Sequence, residues 1–100
     1  MIRHIVLFKL KKTDHEQSLA GIKNEIKKRL ESLPEKIEVI GSMEVGINVV
    51  SSERAFDLAL VSSFDSLDDL ETYRVHPAHQ EVVDFIARYR DQTAAVDFII

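Results

Sequence analysis

Residues Ile2 to Leu10 read IRHIVLFKL, and the fold is decided there. The stretch is rich in β-branched and aromatic side chains and too short for a typical helix, so it is a strand. Side chains along a strand point alternately to its two faces. One face carries Ile2, His4, Val6, Phe8 and Leu10, the other Arg3, Ile5, Leu7 and Lys9. Both are apolar at the centre, which is the pattern of a strand covered on both sides. Phe56 to Phe64 (FDLALVSSF) repeats it, with Phe56, Leu58, Leu60 and Phe64 against Ala59 and Val61. Thr93 to Ile100 (TAAVDFII) reads as a third such strand, with Val96, Phe98 and Ile100 opposite Asp97 and Ile99.

Helices lie between the strands. Thr13, with Glu16 three residues on, fits a capping box. From there Leu19, Ile22, Ile26, Leu30 and Leu33 recur at three- and four-residue steps and form one apolar stripe, ended by Pro34. Gly21 inside this helix points to close packing. Lys36 to Val50 (KIEVIGSMEVGINVV) reads as a strand, bent or bulged at Gly41 and Gly46. Ser66 with Asp69 marks a second helix start. Pro77 interrupts that helix and opens a new turn, because it disfavours a helical His76 and suits a first helical position. The stripe His79, Val82, Val83, Ile86 and Tyr89 then runs to about Arg90.

The order is therefore β-α-β-β-α-β, an α+β chain with a four-stranded antiparallel sheet and both helices on one face, the ferredoxin-like arrangement. Two helices cover one face of the sheet only. The second face would leave Ile5, Leu7, Ala59, Val61 and Ile99 bare. An exposed apolar patch of that size marks an interface, and the expected partner is an identical chain.

Composition narrows the function. Residues 1–100 are expected to form one domain. Hydrophobic residues make up 45% and charged residues 30%, which argues against disorder. A net charge of -4 gives no reason to expect nucleic acid as a partner. There is no cysteine, so thiol catalysis, disulfides and thiolate zinc sites are excluded. The N-terminus lacks the pattern of a signal peptide and no segment approaches a membrane span, so a cytoplasmic protein without membrane contact is expected.

The chemistry concentrates in Tyr73-Arg74-Val75-His76-Pro77-Ala78-His79, a phenol and two imidazoles within seven residues. Histidine titrates nearest neutrality and is the usual proton carrier. His79 falls on the apolar stripe and so faces the sheet, where His4 has the parity of Val6 and Phe8. Alone, each reads as a core histidine satisfied by backbone; facing each other, they must find partners in one interior. Tyr73 is either a core ring or a donor to an oxyanion. His76 reads as a structural cap beside Pro77. Asp97, in an apolar strand, needs a partner if buried: it either orients a histidine or is simply exposed near the strand end. The ligand expected is a small apolar or carbonyl-containing molecule between helices and sheet, against Val6, Phe8, Ile22, Ile26, Leu58, Leu60, Val82 and Ile86. No metal-binding signature such as His-Glu-x-x-His is present, there is no glycine-rich phosphate loop, and no cofactor is expected.

The opening Ile2-Arg3-His4-Ile5-Val6-Leu7-Phe8-Lys9, the middle Gly46-Ile47-Asn48, the strand Phe56 to Val61 and the element Tyr73-x-x-His76-Pro77-x-His79 resemble the stress-responsive A/B barrel (Dabb) domain family over essentially the whole chain. The resemblance implies a dimeric α+β barrel. It implies little about activity, since most members have no assigned reaction. One plant member closes a linear tetraketide by aldol condensation without a metal. Its working groups match His4, Tyr73 and His79 here, with the residue at His79 as base and the tyrosine at Tyr73 holding the oxyanion. The first helix of this chain presents Leu19, Ile22 and Ile26 where such a polyketide pocket uses aromatics. Two other readings stand beside this one: a non-catalytic, stress-associated structural dimer, and a cofactor-free or haem-related monooxygenase of the same architecture.

Overall fold

The computed structural model of the chain describes residues 1–12 and 16–100, with the side chains of 16 and 17 excepted. The capping box at Thr13 and Glu16, and His15, lie outside the described residues. Four strands, β1 (Ile2–Leu10), β2 (Ser42–Ile47), β3 (Leu58–Phe64) and β4 (Arg90–Ile99), form one antiparallel sheet in the order β2-β3-β1-β4. Helices α1 (Glu16–Glu31), α2 (Leu67–Val75) and α3 (Pro77–Ala87) pack on one face. This is the ferredoxin-like arrangement, its second helix split in two at Pro77.

The register fixes which side chains face the helices. His4 pairs with Ser62 and Asp97, Val6 with Leu60 and Ala95, and Phe8 with Leu58 and Thr93. Directly paired residues share a face. The core therefore gathers Ile2, Phe8, Leu10, Val45, Leu58, Leu60 and Phe64 from the sheet, Ile26 and Leu30 from α1, and Tyr73, Val82 and Ile86 from α2 and α3. On the wet side of α1, Glu25 pairs with Arg29 at 2.9 Å. Lys27 and Glu31 reach sideways to the outer edge of β2. Glu31 accepts from the Val45 N–H at 3.1 Å, and Lys27 donates to the Val45 carbonyl. An edge strand's unpaired backbone is thereby closed to outside strands.

Several boundaries differ from the sequence reading. The segment Lys36 to Val50 is a strand only from Ser42 to Ile47. A 3₁₀ turn at Leu33–Glu35 and the loop after it bury Leu33, Ile37 and Ile40, so these apolar residues plug the end of the core instead of alternating across a sheet. Gly41 lies where the backbones meet: it donates to the Ser63 carbonyl at 2.8 Å, and a Cβ there would sit 3.1 Å from that oxygen. Gly46 holds an ordinary ladder position opposite Ala59, without a bulge, and Gly21 faces open space. α3 ends at Ala87, and Arg90, expected to close its stripe, begins β4.

The sheet's second face carries Ile5 and Leu7 from β1 with Ala59 and Val61 from β3, as expected. Ile99 is a correction: it pairs with buried Ile2 and so has helix-side parity, while Val96 and Phe98 take the second face. Every residue of β4 is exposed, because no helix extends over this edge. Leu7, Val96 and Phe98 are 36%, 53% and 42% exposed, which leaves a contiguous apolar strip. No helix among the described residues is long and apolar enough to cross a membrane.

Candidate active site

Pro77 builds the site. Residue 78 of an unbroken helix would donate to the carbonyl of Arg74. At the break, Ala78 N–H instead donates to Nδ1 of His76 at 3.0 Å. His76 thus closes α2 and caps α3, the structural role expected for it. The Arg74 carbonyl is left free, and two side chains take it: Gln80 donates through Nε2 at 2.8 Å, and His79 through Nδ1 at 3.0 Å. A carbonyl only accepts, so this bond places the proton of neutral His79 on Nδ1 and leaves Nε2 bare as an acceptor. Burial lowers the His79 pKa below its ordinary 6.5, against the bond to Arg74, which raises it, and with help from the neighbouring His4, Arg74 and His76.

Tyr73 sits under this imidazole, with ring centroids 4.2 Å apart. Phe64 lies 5.0 Å away on the other side, and His4 6.3 Å. Tyr73 is 1% exposed and its hydroxyl is buried without a hydrogen-bond partner among the described residues. Such a group costs about 1–3 kcal/mol and calls for an explanation. Burial also pushes its pKa far above the ordinary phenol value, so the hydroxyl is a donor at every physiological pH.

His4 reaches the cluster from β1. Its Nδ1 contacts the carboxylate of Asp97, its partner across the β1–β4 ladder. An ionised carboxylate only accepts, so Nδ1 donates and Nε2 again has no protein partner among the described residues. Asp97 thus holds a histidine, one of the two roles the sequence left open. Each imidazole is locked through Nδ1 and offers Nε2, beside a phenol held as a donor.

These three residues line one cavity of about 210 Å³, with an apolar wall that includes Val6, Phe8 and Leu60 of the sheet and Ile86 of α3. Four side chains expected there do not line it. Ile26, Leu58 and Val82 are sealed in the core, and Ile22 packs against it half-buried. The reason is where α1 sits: it packs over β2, and the cavity is lined mainly from β1, α2, α3 and β4 instead. Sequence reading missed Leu30, Arg74, Val83, Arg90 and Thr93 in the wall. Val83 was readable, one turn beyond His79 on the same helix face. Thr93 shares the parity of Asp97 along β4 and pairs with Phe8, whereas the facing of Arg90 depends on a register shift between Lys9 and Leu10 that spacing does not show. Among the described residues no group of three or more His, Asp or Glu side chains is placed to hold a metal ion.

A ferredoxin-like sheet with a partly open cavity between helices and sheet, edged by two fixed imidazoles and a buried phenol, defines a small α+β protein with a candidate site at the β1–β4 side. The chain matches the stress responsive A/B barrel domain over residues 2–100, and it belongs to that family. An uncharacterised Streptomyces coelicolor protein is 37% identical over 83 residues, which span 80% of each chain. A stress-response A/B barrel domain-containing protein of Arabidopsis thaliana is 32% identical over 99% of this chain, but the match spans only 36% of that longer protein. A crystal structure of a dimeric ferredoxin-like protein of unknown function from Bacteroides fragilis superposes with a TM-score of 0.90, at 36% identity, over 99% of this chain and 95% of its own. Hydroxynitrile lyase from Passiflora edulis superposes with a TM-score of 0.80 over 99% of this chain and 92% of its own; at 17% identity it speaks for the fold alone.

Proposed function

We propose that the chain is a homodimer, joined through the sheet's second face, in which each protomer binds a small, mostly apolar carbonyl compound and moves a proton beside the carbonyl. The observation that carries the reading is the buried hydroxyl of Tyr73, without a partner among the described residues, on a ring whose centroid lies 4.2 Å from that of His79, whose Nε2 is likewise free among them. A donor kept protonated beside a base kept neutral is the pairing that α-proton abstraction needs: His79 Nε2 takes the proton, and the Tyr73 hydroxyl donates to the developing oxyanion. His4, oriented by Asp97, positions the carbonyl. The Passiflora lyase shares the fold, which makes small-molecule chemistry compatible with this architecture. The dimeric state of the Bacteroides protein supports the pairing of protomers.

The test uses 2-octanone in deuterated buffer. Saturation-transfer NMR reports binding, and loss of α-proton signal reports abstraction. Exchange faster than buffer, reduced about 10²-fold or more in His79→Ala, is expected. Binding without exchange would leave a non-catalytic binding protein; no binding would discard the reading.

A further inference from the structure

The chamber has two unlike ends. His4, Tyr73 and His79 form one. Thr93 and Arg90, the partners of Phe8 and Leu10 across the ladder, form the other. His4 and Phe8 are four residues apart on β1, or roughly 13 Å at the strand rise. The cavity of about 210 Å³ is lined along that stretch of β1, at His4, Val6 and Phe8, which gives it the lining of a slot. Its middle is walled by Val6, Leu60, Val83 and Ile86, which offer nothing to a polar group.

The two arginines in the wall differ. Arg74 has its guanidinium held by Glu71, through Nε at 2.9 Å and a terminal nitrogen at 3.1 Å. Arg90 enters none of the ion pairs among the described residues. An arginine without an ion-pair partner among the described residues, in an apolar wall that also holds a threonine, offers the forked donors that suit a carboxylate. We infer that the slot takes a slender, chain-like carboxylate, with its acid group on Arg90 and Thr93 and its other end at the His4, Tyr73 and His79 cluster. This rests on the chamber proposed above and adds the ligand's shape and charge.

Octanoate and its uncharged counterpart octanamide separate the two ideas by calorimetry at neutral pH. Wild-type protein is expected to bind octanoate about tenfold or more tighter than octanamide, the ratio a hydrogen bond to a charged group supplies. Arg90→Gln, a change at an exposed site, is expected to bring octanoate down to the octanamide level and leave octanamide unchanged. Arg88→Gln, off the chamber, is expected to leave the ratio intact. Equal binding of the two compounds by wild-type protein, or equal loss of preference in Arg88→Gln, overturns the inference and leaves the chamber standing. Binding of neither overturns both.

Discussion

His4 and Asp97 face each other across the β1–β4 ladder, and the carboxylate of one holds Nδ1 of the other. The pair spans the boundary between helix-covered sheet and the bare edge: the His4 side chain is 15% exposed and Asp97 43%. Asp97 thus reaches in from the solvent side to fix a ring that lines the chamber. Asp97→Ala is expected to release the Nδ1–H tautomer, so that the ¹⁵N shifts of His4 move toward the Nε2–H form. Stability should fall by less than about 1 kcal/mol, since one partner is exposed. An unchanged tautomer would mean that Asp97 does not orient the ring.

Tyr73 separates stability from function. Its hydroxyl is buried with no partner among the described residues, so removing it relieves an unsatisfied donor. Tyr73→Phe is expected to raise stability by about 1 kcal/mol while slowing α-proton exchange of a bound ketone. Tyr73→Ala, which empties a fully buried ring site, is expected to cost about 3–5 kcal/mol. Thermal melts and the exchange assay check both variants. Tyr73→Phe lowering stability would show that the hydroxyl has a partner in the folded protein.

The elements most visible in the sequence are those whose signal is local. The alternation of Ile2 to Leu10, the α1 stripe and the break at Pro77 each rest on neighbours in the chain, and each stands in the structure. Ile37, Val39 and Met43 alternate too, yet Ile37 is held back toward Leu33 by a turn hydrogen bond at 2.8 Å, an arrangement that spacing alone does not distinguish from a strand. Ile99 shows a second limit. Alternation divides β4 into two faces, but only pairing with Ile2 says which is inward. The histidines and Tyr73 were legible because their residue types are rare in an apolar pattern. The greasy wall was less so, since Ile26 and Leu58 look like Val6 and Leu60 until the position of α1 is known. Arg90 was hidden by the shifted register beside it.

Acid should weaken the fold through His79. Burial holds its folded-state pKa below the ordinary 6.5. Between the two values the unfolded chain binds more protons, so stability falls as pH drops through that window. The loss is complete below the folded pKa and absent above about 6.5. Urea midpoints from pH 5 to 8 are expected to slope downward at the acid end in wild-type protein, and less steeply in His79→Gln. The same depression sets the catalytic profile: kcat/KM for α-proton exchange should rise with pH on a limb whose midpoint is below 6.5. Parallel curves for the two proteins would show that His79 titrates alike folded and unfolded.

The second face of the sheet gives a prediction about assembly that discriminates between two isoleucine and valine positions. Val61 pairs with Ile5 and Glu44, at the middle of the apolar strip that also holds Leu7, Val96 and Phe98. Ile99 is more exposed, at 80%, but lies with Ile2 on the helix side. If two protomers pack sheet to sheet, a lysine at the centre of the strip must be desolvated, and the one carboxylate across the ladder, Glu44, does not offset that cost. Val61→Lys is therefore expected to run as a single chain in light scattering at concentrations where wild-type protein is a pair. Ile99→Lys is expected to remain paired, although it alters the more exposed residue. Dissociation by Ile99→Lys and not by Val61→Lys would place the interface on the open edge of β4 instead of the sheet's second face.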